Sequence, residues 1–215
     1  MTALRIETFP VGPLQCNCTI LMDAASKSTV VIDPGDEADR IIEELERMDA
    51  RPVALLHTHA HFDHIGASSE VSQATRAALR IHEGDRFLWE MLPQQGSLFG
   101  MVIPAAHPID SAISDGERIA FGAGSVRAIH TPGHTPGSTC FLLESDGGIL
   151  FSGDTLFRRS IGRTDLWGGD PDQIASSIRE RLYTLSPDTR VVCGHGEDTT
   201  IGEERRDNPF VRAHA

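Results

Sequence analysis

Apolar residues recur along this chain in two spacings, and the two alternate. Short runs rich in β-branched residues, bounded by Gly, Pro, Asp or Ser, predict strands at 5–11, 19–22, 29–32, 53–56, 79–82, 118–121, 126–130, 139–143, 148–152 and 191–193. Between them, apolar positions three and four apart predict helices. Ala38, Ile41, Ile42, Leu45 and Met48 share one face of a helix over 36–48, with Asp36 as its N-cap. An Ala-rich helix follows over 65–78 with Val71 and Ala74 inward, then a short one over 86–92 capped by Asp85. Asp170 and Pro171 open a fourth helix running to Leu185, with Ile174, Ile178, Leu182 and Leu185 as its buried stripe. The Gly- and Pro-rich stretch 93–108 reads as a loop long enough to form one wall of a cleft. Gly122-Ala123-Gly124 and Ser145-Asp146-Gly147 read as hairpin turns, 203–208 as a polar tail, and His214 as disordered. By periodicity alone the fold is mixed α/β.

Composition narrows the function classes. A length of 215 residues suits one domain spanning 1–215 with a sizeable core. The net charge of −12 disfavours a nucleic-acid partner, which needs a basic face. The apolar stretches are too short to span a bilayer, so no membrane partner is expected. Residues 1–7 alternate and carry charge, unlike a secretory leader, and a cytoplasmic location is the expectation. Cys16, Cys18, Cys140 and Cys193 are scattered without redox or zinc-knuckle spacing and are expected as reduced, packed thiols. Cys193, two residues before His195, could face the same way as that histidine, but histidines and carboxylates already supply enough ligands.

Those ligands concentrate where the 53–56 strand ends. His59, His61, Asp63 and His64 fall within six residues, and imidazole with carboxylate suits zinc, iron or manganese. His59 and His61 project to one side of an extended segment, and Asp63 and His64 open a new direction as the chain turns into a helix. One ion fits the first pair and a neighbouring ion the second. Downstream, two prolines and two glycines stiffen Thr131-Pro132-Gly133-His134-Thr135-Pro136-Gly137, which makes His134 a third histidine for the first metal. Asp154 follows Gly153 at a strand end, and His195 lies between Gly194 and Gly196. His57, His82 and His107 have no partner at ligand spacing and read as structural, and His130 reads as strand packing. Asp33 either shapes the turn after the 29–32 strand or accepts a hydrogen bond from a metal-bound histidine.

The stretch T-H-A-H-F-D-H resembles the H-x-H-x-D-H signature of the metallo-β-lactamase superfamily and, within it, the glyoxalase II-like hydrolases. T-P-G-H at His134, G-D-T-L at Asp154 and G-H-G at His195 extend the resemblance over most of the chain. It implies an α+β fold, the four-layer αββα sandwich. It also implies two divalent metal ions, zinc before iron or manganese. His59, His61 and His134 would hold one ion, Asp63, His64 and His195 the other, with Asp154 and a hydroxide bridging them and Asp63 and Asp154 as the catalytic carboxylates. Two dications acidify water and polarise a carbonyl, so a small-molecule thioester with its good thiolate leaving group suits the site.

F-R-R-S-I-G-R-T-D-L-W-G-G-D is similar to short glyoxalase II-like proteins. The chain ends 20 residues after His195, without the C-terminal helical region that helps full-length glyoxalase II bind glutathione, so a smaller or different thioester is expected. Arg158, Arg159 and Arg163 form a positive cluster with two readings: one of them meets a substrate carboxylate, or Arg163 pairs with Asp165 or Asp170 to hold its loop. The rival reaction is that of the persulfide dioxygenases, a related family that shares G-R-T-D and uses one iron. His59, His134 and Asp154 would hold that iron. A purely metal-binding protein, an exported β-lactamase and a nuclease fit less well.

Overall fold

The computed structural model describes residues 4–145 and 147–212. Two six-stranded sheets face each other. The first has the order β1 (Leu4–Val11), β2 (Cys16–Asp23), β3 (Ser28–Ile32), β4 (Arg51–Leu56), β5 (Ala78–His82) and β6 (Ser111–Ile113). The second runs β14 (Thr199–Thr200), β13 (Arg190–Cys193), β10 (Ile149–Gly153), β9 (Thr139–Leu143), β8 (Gly124–His130) and β7 (Arg118–Phe121). A small ribbon of β11 (Leu156–Phe157) and β12 (Ser160–Ile161) follows β10.

Strand alternation divides the apolar side chains into three layers. Leu21, Val30, Ile32, Leu56, Phe121, Phe141, Phe151 and Val192 fill the space between the sheets. Their chain neighbours Ile20, Met22, Val31 and Leu55 turn outward, where Ile41, Leu45 and Met48 cover them. These come from and just beyond α1 (Ala38–Arg47), joined by Val71 of α3 (Ser68–Thr75) and Leu88 of α4 (Arg86–Glu90). On the far side Cys140, Leu142, Leu150 and Val191 pack under Ile174 of α6 (Pro171–Ser177) and Ile178 and Leu182 of the wide turn that continues it. Helix, sheet, sheet, helix is the expected αββα sandwich.

Local expectations changed where hydrogen bonding overrode periodicity. Asp36 is not the N-cap of α1. Glu37 takes that place in a left-handed conformation (φ 54°) with no side-chain cap, and its N–H donates to Asp36 Oδ1. The helix expected over 65–78 is two pieces, α2 (Phe62–Ile65) and α3, with Arg76 left-handed at the end of the second. Asp85 does not cap α4: its carboxylate is fully buried and bonded elsewhere. The start of the 93–108 loop is helical, α5 (Leu92–Leu98), because Gln95 is buried and bonded at both ends of its amide. The polar tail contains α7 (Ile201–Asp207), capped by Thr200. Asp170 does cap α6, accepting from the N–H groups of Asp172 and Gln173. Asp146 and His214, expected in a turn and in a disordered end, lie outside the described residues. Among the described residues no helix is long and apolar enough to cross a membrane.

Candidate metal centre

The proposed ligands gather at one end of the sandwich because each follows a strand. The turn after β4 carries His59, His61, Asp63 and His64. The loop after β8 carries His134, β10 runs into Asp154, and β13 into His195. Their donor atoms form groups: His59, His61 and His134; Asp63, His64 and His195; and His59, His64 and Asp154. All seven residues expected from the sequence therefore converge.

In the first group His134 Nε2 lies 2.9 Å from His61 Nδ1 and 3.2 Å from His59 Nε2. The back of His134 settles its tautomer, since Nδ1 donates to the carbonyl of Arg163 at 2.7 Å, leaving Nε2 as a bare lone pair. His59 is similar. Thr58 Oγ1 donates to Asp33 Oδ2 at 2.6 Å and so accepts from His59 Nδ1 at 3.1 Å, which turns the His59 lone pair inward as well. Two lone pairs 3.2 Å apart repel unless a cation lies between them. The separation is close to the edge of about 3.3 Å expected for nitrogens on a tetrahedral zinc at 2.0–2.1 Å. The fit extends to the second group. His64 Nδ1 donates to Asp33 Oδ2 at 3.0 Å and His195 Nδ1 to the Leu14 carbonyl at 2.9 Å, so their Nε2 atoms meet face to face at 3.2 Å. Asp63 Oδ2 is 3.2 Å from His195 Nε2.

Asp154 lies between the groups. Its Oδ1 is 3.3 Å from His64 Nε2 and 3.7 Å from His195 Nε2, and its Oδ2 is 3.7 Å from His134 Nε2. Oδ1 is buried without a hydrogen-bond partner among the described residues. Gly194 makes this approach possible, because a Cβ there would collide with Asp154 Oδ1.

Charge separates the two groups. Burial pushes the His61 imidazole down to about 3 and His59 well below its ordinary range, with neighbouring imidazoles adding to the shift, so both are neutral. Burial opposes charge on His64 and His195 too, but the carboxylates of Asp154 and Asp63 raise both. Asp154 is held below the usual carboxylate range, since His64, His134 and His195 outweigh its burial.

The remaining expectations fall into place around this centre. Asp33 is the acceptor of His64 and, through Thr58, of His59. His57 faces away, bonded to the Arg80 carbonyl at 2.9 Å and to Ser68 Oγ at 2.8 Å. His130 stacks on His82 with ring centroids 4.0 Å apart. The arginine cluster is spread out. Arg158 pairs with Glu197, Arg163 makes a two-pronged pair with Asp165, and the Arg159 N–H donates to the buried Glu204. Sequence reasoning missed Asn17. Its Nδ2 donates to the carbonyls of Cys193 and Gly196 at 3.0 and 3.2 Å, straddling His195. No spacing rule links residues so far apart in sequence. The polar Asn17 between two apolar-packed cysteines was the available signal.

Comparison with known proteins adds an independent line. The family model for the metallo-beta-lactamase superfamily matches residues 11–195. The hydroxyacylglutathione hydrolase GloC of Haemophilus influenzae is 40% identical over 212 residues, covering 98% of this chain and 99% of that one. The crystal structure of BLEG-1 B3 metallo-beta-lactamase superposes with a TM-score of 0.89 at 38% identity, over 96% of this chain and 99% of that one. TTHA1623 in a di-iron-bound form gives a TM-score of 0.87 at 38% identity, over 95% and 100%.

Proposed function

The chain belongs to the metallo-β-lactamase superfamily, and from that premise we propose that it is a binuclear metal-dependent hydrolase of thioesters of the hydroxyacylglutathione kind. The observation that carries the reading is Asp154, one carboxylate oxygen turned to each donor group. When bound, two dications supply an acidified water and a polarised carbonyl at neutral pH. The chain's own residues hold that arrangement. His59 and His61 are neutral donors that join His134 on one side, Asp63 brings negative charge to the other, and Asp154 serves both.

The protein's thiols are poor candidates for a covalent route. All four cysteines are buried, and burial pushes Cys16 and Cys193 up to about 12 and Cys140 up to about 11, so none supplies a thiolate near neutral pH. Aromatic rings flank both groups: Trp167 lies 6.5 Å from His61 and Phe157 6.4 Å from His195, ring centre to ring centre. Such walls suit the acyl and thiol arms of a small organic substrate. The hydroxyacylglutathione hydrolase relative supports a thioester.

The iron dioxygenase reading would use only His59, His134 and Asp154 and would leave His61, Asp63, His64 and His195 without a task, although the structure gathers them as tightly. Thiol release from several acyl thioesters, β-lactam opening, and oxygen uptake with glutathione persulfide can be compared on zinc- and iron-loaded protein. Thioester cleavage should exceed the other two. Iron-dependent oxygen uptake with negligible thioester cleavage under either metal would overturn the proposal.

A further inference from the structure

Asp85 is a buried carboxylate that the hydrolytic chemistry does not use. Its side chain is inaccessible to solvent and sits between the two segments that carry the first donor group. Asp85 Oδ2 accepts from the N–H of Ala60 at 3.0 Å, and Ala60 is the residue between His59 and His61. The same oxygen accepts from Thr135 Oγ1 at 2.7 Å, next to His134, and Oδ1 accepts from the N–H of Gly137 at 2.6 Å. A Cβ at Gly137 would lie 2.6 Å from the Asp85 carboxyl carbon, so glycine is what lets the loop close on this group. Gln95 completes the brace by donating to the Ala60 carbonyl at 2.9 Å and accepting from the Phe62 N–H at 3.1 Å.

Burying a carboxylate is costly unless donors surround it. Here burial raises the Asp85 carboxyl, and the Thr135, Gly137 and Ala60 donors work against that rise. Nothing in the packing of α4 requires an acid at this position, since Asp85 makes no cap bond to the helix. All three of its partners lie on the ligand-bearing turn and loop.

We propose that Asp85 is a positioning residue for the first metal subsite: it fixes the spacing of His59 and His61 against His134 and so sets metal affinity there, but not at Asp63–His64–His195. The inference rests on the reading of the site as binuclear. The second subsite has its own brace. Asn17 holds the backbone on either side of His195, and the Leu14 carbonyl takes its Nδ1–H.

The test is zinc affinity and stoichiometry, read by competition with a chromophoric chelator, together with the visible spectrum of the cobalt(II)-loaded protein. Asp85→Asn keeps the shape, but whichever way the amide turns, its NH2 meets a backbone N–H donor. The variant should lose about tenfold to a hundredfold in affinity for one of two ions, the loss expected for removing a ligand's outer partner. The other ion should bind as before. Asp85→Glu, which keeps the charge but displaces it, should recover part of the loss. Asn17→Ala should weaken the opposite ion, giving a different change in the cobalt spectrum. Thr135→Val removes one Asp85 partner and serves if Asp85→Asn fails to fold; it should show a smaller loss at the same ion.

Wild-type protein that binds a single ion would overturn the binuclear reading itself. Wild-type protein that binds two, with Asp85→Asn or Thr135→Val retaining both at unchanged affinity, would overturn the role of Asp85 alone. Equal weakening of both ions would also overturn it, since that is the signature of a general loss of packing.

Discussion

The two donor groups lie side by side but are built differently. His59, His61 and His134 are almost wholly buried and contain no carboxylate of their own. His195 and Asp63 leave 25% and 15% of their side chains exposed, and the second group includes an acid. The first group therefore presents imidazole nitrogens alone, from segments braced from behind by Asp85. The second keeps His64 fully buried but brings charge close to water through Asp63 and His195, braced by Leu14 of the β1–β2 turn and Asn17 of β2. A dication in a buried three-imidazole pocket depends on rigid placement, because no anion of that pocket compensates its charge. Beside Asp63 the compensation is electrostatic and tolerates more movement. The shared carboxylate, Asp154, joins the two regimes.

Removing what the groups share should have the largest effect. Asp154→Asn takes a unit of negative charge from between them and should lower hydrolytic activity by more than about a hundredfold, exceeding the loss from an outer-sphere change. Metal content should fall for both ions, while circular dichroism stays close to wild type. Full activity with unchanged metal content would reduce Asp154 to a turn residue and dissolve the comparison.

Single-group changes come next. His61→Ala should abolish one ion and His64→Ala the other, each leaving about one ion per chain by elemental analysis. Two open groups with distinct strengths predict that the residual affinities differ between the variants. Identical residual affinity would mean that the contrast in burial and charge has no consequence for binding.

Much of this centre was legible in the sequence because ligands announce themselves by type and by position after apolar strands. Thr58-His59-Ala60-His61-Phe62-Asp63-His64 is such a case, as are His134 and His195 flanked by Pro and Gly. Alternation gave only mixed α/β and the inward and outward faces of each strand, such as Val30 and Ile32 inward and Val31 outward; the sandwich came from the family resemblance of the ligand motifs. Of the braces, Asp33 was legible only as one of two readings, and the others were not legible. Asp85, after a strand and before a helix, reads as a cap by every local rule, and only the chain fold brings Thr135 and Gly137 to it. Gln95 likewise lies in a Gly- and Pro-rich stretch that reads as loop, because its burial depends on the Ala60 and Leu88 carbonyls. Local pattern reports which groups can bind. Long-range contacts decide which groups hold them in place.

His57 offers a control that sharpens the contrast. It lies two residues before His59 and is equally buried, but the protein alone satisfies both of its ring nitrogens. Burial pushes it from an ordinary 6.5 down to about 4. The unfolded chain takes up a proton near 6.5 and the native state only near 4, so this contribution to stability is present above 6.5 and is lost as pH falls through that window. With metal chelated, wild-type stability should drop by about 2 kcal/mol more between pH 6.5 and roughly pH 5 than that of His57→Asn, taking about 1.4 kcal/mol per unit. Urea unfolding at the two pH values measures it. Parallel slopes would show that His57 exchanges its proton without cost.

The smallest effect is expected at Arg163, where main chain and side chain have separate tasks. Its carbonyl accepts the His134 Nδ1–H at 2.7 Å, a bond that any residue can supply. Its guanidinium grips Asp165 at 2.7 and 2.8 Å with both partners more than half exposed, and such pairs contribute at most about 1 kcal/mol. Arg163→Ala should therefore leave metal content intact, shift stability by less than about 1 kcal/mol, and leave kcat within about twofold. KM is the discriminating quantity. A guanidinium fully occupied by Asp165 gives an unchanged KM, and Asp165→Ala should then behave the same way. A several-fold rise in KM with kcat intact would show that the side chain leaves Asp165 to meet a substrate carboxylate. In that case Asp165→Ala should lower KM by releasing the arginine. Opposite signs for the two variants would place substrate recognition on the rim beside the first donor group. Equal and small effects would leave Arg163 as a brace whose backbone carbonyl, not its charge, serves the metal centre.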